Sequence, residues 1–502
     1  MALQRAGVRW AFSIVGAAFG VFLFATLVFA AGRETPVPDV QFQPVTLPKA
    51  VTIREAVAVA LRNYPTIAQK QFRLRAAKAN VTLAKTQYLP NLNLDLQESA
   101  VSANRIASVV MNNVSGFDTV PVDSGPSATY QSLRPQANNL EGLNLNWLMI
   151  DMGLRHANDN YAYADARSAR ADVNLTKLDV AFAAVDAFLD AVAAKQVIIS
   201  VKAELEHMES ANLRSKTLVA QGLRPGVDAA DWDYEVAKTK IALIRAERDR
   251  RLALVELAEK MGVANSDFDV ISDPVISRPV EVSTFGPFDM QSHPLALLKT
   301  ADVMRWQAKQ VVLDKAWRPH LWLNASIWGR GSSEPSNINP LSEKGGGILP
   351  QVFNYMVGVT YSFPFMEYFP LKAQRDMAHA NEMAARADLD LAMQILEKKD
   401  ARARILLSQS RKVAEETPTL VEAAKVREIK VQKRYGTGLT NMVELADAEK
   451  SIAQAEVENA LAQVDVWRSI LSLAYVQGDL RPFMQCVDIA EGNTGRQIGM
   501  KE

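Results

Sequence analysis

Two pairs of acids are the residues of this chain best placed to do chemistry. Asp228 and Asp231 follow Gly222, and Glu444 and Asp447 follow Gly438. Each pair is spaced i, i+3, which sets both carboxylates near one face of a helix. Acids in a first helical turn stabilise the helix macrodipole. Ringed around an opening, they would form a charged constriction that favours cations. The spacing leaves both readings open. Arg224, two residues after Gly222, can pair with these acids or stand as a solvated loop arginine.

Nothing points to catalysis. His156, His207, His293, His320 and His379 are scattered, with no H-E-x-x-H among them. The single cysteine, Cys486, permits no intrachain disulfide and no Cys-rich metal site. It has no histidine near it in sequence and reads as part of a tail after the last helix. Gly345-Gly346-Gly347 lacks the Lys-Ser/Thr of a phosphate loop. Met377, Met383 and Met393 read as helix packing rather than soft-metal ligands. No catalytic residue, no metal and no cofactor are expected; the chain reads as a non-enzyme.

These residues sit in a chain of 502, long enough for several ordinary domains. Its 56 basic residues balance 56 acidic ones, without the excess a nucleic-acid binder shows. Arg5 and Arg9 precede an apolar run from Trp10 to Ala31, ending in small residues. Residues 1–30 therefore read as a signal peptide, with an uncleaved membrane helix as the alternative. No later stretch approaches the ~18 apolar residues of a membrane helix.

The rest reads as two copies of one unit. Pro65 to Pro90 and Pro294 to Pro319 both span 25 residues. An offset of 216 then matches Gly142 with Gly358, Gly222 with Gly438, Asp231 with Asp447 and Gly262 with Gly478. The expected division is a linker over 31–50, a first repeat over 51–262, a linker over 263–284, a second repeat over 285–478 and a tail over 479–502.

Within each half the order is helix, strand, long polar loop, strand, very long helix, turn, helix. After Pro90, Leu92, Leu94 and Leu96 alternate with Asn91, Asn93, Asp95 and Gln97. After Pro319, Leu321, Leu323, Ala325 and Ile327 alternate with His320, Trp322, Asn324 and Ser326. Pro90 and Pro319 thus mark helix–strand junctions. The return strands are expected over 142–148 and 353–363. From Leu154 to Gln221 no proline occurs, enough for roughly 100 Å of helix. Leu175, Leu178, Phe182, Val185, Leu189, Val192 and Ile199 form a coiled-coil stripe along it. Pro418 is expected to kink or break the second long helix. Ala448, Ala455 and Ala462, at heptad spacing, would let neighbouring helices approach closely.

Four amphipathic strands cannot close a membrane barrel, since bacterial barrels begin at eight, and open edges are not tolerated in lipid. Several chains must then share one barrel. Two copies give eight strands and three give twelve, and pattern does not choose between them. Asn91, Asn93, Asp95, Gln97, Thr360 and Ser362 would line a wet lumen. Trp147, Trp328, Tyr355 and Phe363 would supply aromatic girdles.

The chain resembles the TolC family of outer-membrane efflux proteins over nearly all of 51–478. The resemblance rests on the tandem halves and on Tyr435-Gly436-Thr437-Gly438 through Asp447-Ala448, which is similar to the family's turn into the last helix. Asp151-Met152-Gly153 matches the D-x-G that starts the long helix; the second half carries Glu367-Tyr368-Phe369-Pro370 there instead. The resemblance implies a mainly α fold with a β-barrel portion: a homotrimer with a twelve-stranded barrel in the Gram-negative outer membrane and an α-helical periplasmic tunnel. It implies partners in a periplasmic adaptor and, through it, an inner-membrane pump, for efflux or type I secretion. By the same resemblance Glu444 and Asp447 ring the closed periplasmic mouth, with Asp228 and Asp231 as weaker counterparts. The turns at Gly222, Arg224, Gly436 and Gly438 would contact the adaptor. A coiled-coil envelope scaffold without a pore is the competing reading, and it leaves the four alternating strands unexplained.

Overall fold

The computed structural model describes residues 48–102, 135–222, 226–264, 267–276, 288–332 and 349–491. The signal segment 1–30, Arg224 and Gly345-Gly346-Gly347 lie outside them.

The described chain opens with a short strand β1 (Ala50–Val51) and helix α1 (Ile53–Asn63), which starts in a reciprocal capping box between Thr52 and Glu55. Helix α2 (Pro65–Thr86) takes Pro65 in its first turn, where a missing N–H costs nothing. Pro90 then separates α2 from strand β2 (Asn91–Ser102), which pairs antiparallel with β3 (Pro135–Ile150). Next come the long helix α3 (Leu154–Ala220) and helix α4 (Gly226–Met261).

The stretch expected as a plain linker over 263–284 is partly structured. It contains β4 (Asp269–Val270), paired in parallel with β1, and the short helix α5 (Asp273–Ile276). Asp269 anchors this crossing to the long helices, accepting from Lys195 at 3.0 Å and Arg250 at 2.8 Å.

Helix α6 (Pro294–Ala316) begins on Pro294 as α2 begins on Pro65, and Pro319 precedes β5 (His320–Ser332). Strand β6 (Val352–Ser362) leads to α7 (Tyr368–Gly436) and α8 (Met442–Val476). The supposed tail is not featureless, because Arg481–Ala490 forms a further helix, α9. Phe483, Cys486 and Val487, spaced for one helical face, are buried there, and the Phe483 ring meets Trp467 at 5.9 Å.

The four long strands form one antiparallel sheet in the order β2-β3-β5-β6. Return strand β3 is longer than the expected 142–148, because polar pairs such as Glu98 with Asn139 and Ser99 with Asn138 continue the ladder, whereas β6 has the expected length, displaced by one residue. Register sorts the side chains cleanly. Leu94, Leu143, Ile327 and Tyr355 form one cross-strand row, and Leu92, Leu145, Ala325 and Val357 the next. The alternate rows are Asn93, Asn144, Ser326, Met356 and Asn91, Asn146, Asn324, Gly358, on the opposite face. Trp328 pairs with Gly142 and so falls on this polar face. It is not part of an apolar-face girdle, whereas Trp147 and Tyr355 are on the apolar side.

Helix α3 runs for 67 residues and α7 for 69, about 100 Å each at 1.5 Å per residue. They separate the sheet from the α3–α4 and α7–α8 turns. Val185, Leu189 and Val192 are fully buried, but Ile199, the end of the expected stripe, is 51% exposed. The buried positions that follow instead include Ile198, Ser200, Met208 and Ala211. Ala448, Ala455 and Ala462 are all buried in α8.

Pro418 does not break α7, which continues through it. A proline removes its own donor and strains one turn, but the adjacent Thr417 is buried and donates to Asn459 of α8 at 2.9 Å. Packing along α8 thus holds the helix across the defect. Met377 and Met383 are exposed on α7 rather than buried in helix packing. Among the described residues no helix is long and apolar enough to cross a membrane.

Candidate functional site

The second turn is built by its own polar residues. Helix α7 stops where Gly438 takes φ +78°, a left-handed conformation that glycine adopts without a Cβ penalty. The Gly438 N–H donates to the Tyr435 carbonyl and the Leu439 N–H to the Arg434 carbonyl, the paired bonds of a Schellman ending. Asn441 then caps α8, its side-chain oxygen accepting from the Glu444 N–H at 2.9 Å. The Glu444 carboxylate accepts from Arg434 at 3.1 Å and from the Thr440 hydroxyl. Arg434 also reaches the Leu439 carbonyl, so one guanidinium ties both sides of the turn together.

The two acids of this turn therefore differ. Glu444 is engaged by a cation of its own chain. Asp447 is exposed, and its carboxylate has no partner among the described residues. In the first turn Gly222 adopts φ +72°, and α4 begins at Gly226. Asp228 is half-buried there and Asp231 exposed.

Spacing did not reveal what holds the two turns at the same end. Trp232 is completely buried in a core formed by all four long helices. Met208 and Ala211 of α3, Val236 of α4, Val431 of α7, and Met442, Leu445, Ala446 and Ala448 of α8 complete it. Trp232 and Ala448 are related by the same offset of 216 residues as Asp231 and Asp447. One large and one small residue at matching positions share this core, each beside a candidate gate acid. The signal was present as Asp231-Trp232-Asp233, a tryptophan flanked by acids near a helix start.

Close by, the Glu449 carboxylate is buried against the α3–α8 interface and faces His207 Nδ1 at 3.4 Å. Burial pushes its pKa above the usual carboxylate range, and His207 opposes the shift.

The sheet forms the other half of the site. On its polar face Asn144 donates to Asp95 and accepts from Ser326, and Asn324 donates to Thr360 at 2.8 Å. On the opposite face Tyr355 is 83% and Val357 71% exposed. The apolar rows run from Phe353 to Tyr361, eight steps of ~3.4 Å or roughly 27 Å along the strand. That is close to the ~25 Å apolar band of outer-membrane barrels. Strands β2 and β6 each lack a partner on one side among the described residues.

Cys486 offers no nucleophile: it is 1% exposed, its thiol donates to the Pro482 carbonyl, and burial pushes its pKa up to about 11.

Comparison with known proteins agrees with this architecture. Residues 56–263 match the model of the outer membrane efflux protein family. Protein CyaE of Bordetella pertussis is 23% identical over 438 residues, covering 86% of this chain and 84% of the relative. A membrane protein from Pseudomonas aeruginosa superposes with a TM-score of 0.69 at 16% identity, over 85% of this chain and 90% of that one. The CmeC outer membrane channel of Campylobacter jejuni gives 0.66 at 14% identity, over 88% and 89%. Residues 56–263 are thus similar in sequence to the outer membrane efflux protein family, and most of the chain shares the fold of solved outer membrane channels.

Proposed function

We propose that three copies of this chain close one twelve-stranded barrel and a helical tunnel. The assembly conducts solutes or proteins passively from a periplasmic adaptor and inner-membrane pump to the exterior, in tripartite efflux or type I secretion. One observation carries the reading: a four-stranded sheet with an exposed apolar face, a polar face and, among the described residues, two unpaired edges. In lipid such edges must be satisfied, and copies of the same chain supply strands that do so. The likeness to outer-membrane channels favours three copies. The halves of each protomer are taken as 51–262 and 285–478.

In this reading Asp447 is the principal charge of the periplasmic mouth. Glu444 contributes less, because Arg434 compensates it within the turn. Asp228 and Asp231 stand on the neighbouring turn, in helix-start positions that also suit the macrodipole. The adaptor meets the turns around Gly222 and Gly436–Gly438; Arg224 belongs to the first of these by sequence.

Single-channel conductance in planar bilayers tests the reading. The wild type should show a small, cation-selective conductance. Asp447→Asn should lower cation selectivity more than Glu444→Gln does, and the double substitution should enlarge the conductance. A membrane-inserted trimer that never conducts would overturn the channel. A conducting pore indifferent to Asp447→Asn would return that acid to helix stabilisation.

A further inference from the structure

The two halves differ in sequence where the second strand of each pair enters its long helix. In the first half that entry is Trp147-Leu148-Met149-Ile150-Asp151-Met152-Gly153, in which Met149, Ile150 and Met152 are exposed and Asp151 is the one buried acid. Asp151 is 7% exposed, accepts from the Gly153 and Arg155 N–H groups, and pairs with the Arg155 guanidinium at 3.0 Å. In the second half the corresponding stretch is Phe363-Pro364-Phe365-Met366-Glu367-Tyr368-Phe369.

These side chains enter no core. Phe365, Met366 and Phe369 are each about two-thirds exposed. They are joined by a run of ring contacts. Phe363 lies 6.5 Å from Phe365 and 6.1 Å from Trp317, Trp317 lies 5.6 Å from Tyr368, and Tyr368 lies 5.8 Å from Phe369. Phe363 continues the alternation of Tyr355, Val357, Val359 and Tyr361, so the patch extends the apolar face of β6.

Beyond the aromatics, on the helical side, a cleft of about 490 Å³ opens between α6 and α7. Trp317, Tyr368, Lys372, Arg375, Asp314 and Asp376 line it. Arg375 and Arg318 share Asp314, at 3.0 and 3.7 Å. Lys372 is exposed and has no ionic partner among the described residues. It stands one turn above Tyr368 on α7, on the side away from the sheet.

We propose that Phe363–Lys372, together with Trp317, is a binding site for a glycerophospholipid of the periplasmic leaflet. Phe363, Phe365 and Phe369 lie against the acyl chains, Trp317 and Tyr368 occupy the headgroup level, and Lys372 meets the phosphate. Tryptophan and tyrosine concentrate at this level because their rings are apolar and their N–H or O–H is wet. A lysine just beyond them reaches the anionic layer while its stem stays on apolar surface. The proposal rests on reading the sheet as membrane-spanning. It adds a phospholipid contact at the junction of β6 and α7 in each chain.

The test uses the full-length protein in nanodiscs of phosphatidylethanolamine and phosphatidylglycerol. Photoreactive benzoylphenylalanine replaces Phe369 in one sample and Tyr355 in another, and products are identified by mass spectrometry after illumination. Phospholipid adducts at both positions are expected. Lys372→Gln should lower the adduct yield at position 369 about fivefold and leave that at 355 unchanged. Adducts at 355 with chain-to-chain products at 369 would mean that a second copy covers the patch. Adducts at 355 alone would mean that the patch faces water. Either result overturns the anchor and leaves the membrane-spanning sheet standing. Adducts at neither position would overturn both. An undiminished yield at 369 in Lys372→Gln would remove the phosphate contact.

Discussion

Gly478 lies against the ring of Pro294: a Cβ built on Gly478 would stand 2.7 Å from Pro294 Cδ. Gly262 bears the same relation to the start of α2, where a Cβ would stand 3.0 Å from the Asn63 carbonyl oxygen and 3.2 Å from Tyr64 Cα. Each glycine follows the end of a hairpin helix, and each presses on the proline-led turn that opens a shorter helix. Both adopt positive φ, +78° and +69°.

Gly478→Ala therefore combines a strained backbone with a steric clash. It should cost about 2–4 kcal/mol, against about 1 kcal/mol for Gly222→Ala, where nothing lies within 4 Å of the added carbon. Thermal unfolding of the two variants checks this. Equal losses would mean that the proline turn yields freely.

The same turn carries a pH dependence. His293 is 1% exposed and caps α6: Nδ1 accepts from the Leu295 N–H at 3.0 Å, and Nε2 donates to the Tyr475 carbonyl at 3.2 Å. Burial holds its pKa below the usual 6.5, the Tyr475 carbonyl opposing. A proton on Nδ1 would oppose the Leu295 N–H. Below 6.5 the unfolded chain binds this proton more readily, so stability should fall as pH drops from 7.5 to 5. His293→Asn keeps an acceptor for the cap, and denaturant melts across that range should show this component gone.

Trp232→Ala should cost about 3–5 kcal/mol locally, since it empties the core beneath both turns. The effect should concentrate there. Hydrogen exchange at 205–236 and 431–448 should rise by orders of magnitude while the sheet keeps its protection. Uniform loosening of the chain would contradict a local core.

Glu382 is buried on α7 and accepts from Gln307 at 2.9 Å, Arg386 at 2.7 Å and Gln310 at 2.6 Å. These bonds lower its pKa from 4.5 to about 2. Because the folded value is depressed, its contribution is complete above 4.5 and disappears as pH falls toward 2. Glu382→Gln should cost about 1–3 kcal/mol at pH 7. The gap from wild type should close in acid, as read by denaturant midpoints. A gap that persists at pH 2 would assign the loss to packing instead.

Much of this protein is legible in one dimension. Alternation after Pro90 and Pro319 specifies strands, because side chains on a pleated backbone point alternately to its two faces. The 3–4 spacing from Leu175 to Val192 specifies a packed helix for a similar geometric reason. The paired prolines and glycines mark two similar halves, since glycine and proline are demanded wherever the backbone turns sharply. Periodicity is a local property, and sequence records it directly.

Other features depend on what lies across space. Heptad spacing extended the stripe to Ile199, which the neighbouring helices leave exposed while Ile198 is buried. Pro418 reads as a breaker, yet α8 holds α7 through it. Glu444 and Asp447 look equivalent in sequence; Arg434, ten residues before Glu444, compensates one and leaves the other exposed. Trp232 joins both turns because it fills space opened by Ala448, and the size of a cavity is set by four helices together. The sequence by itself determined the long strands and helices and their order. Only the tertiary structure decided which charges are compensated and which aromatic side chains remain uncovered, because those depend on distances between residues far apart in the chain.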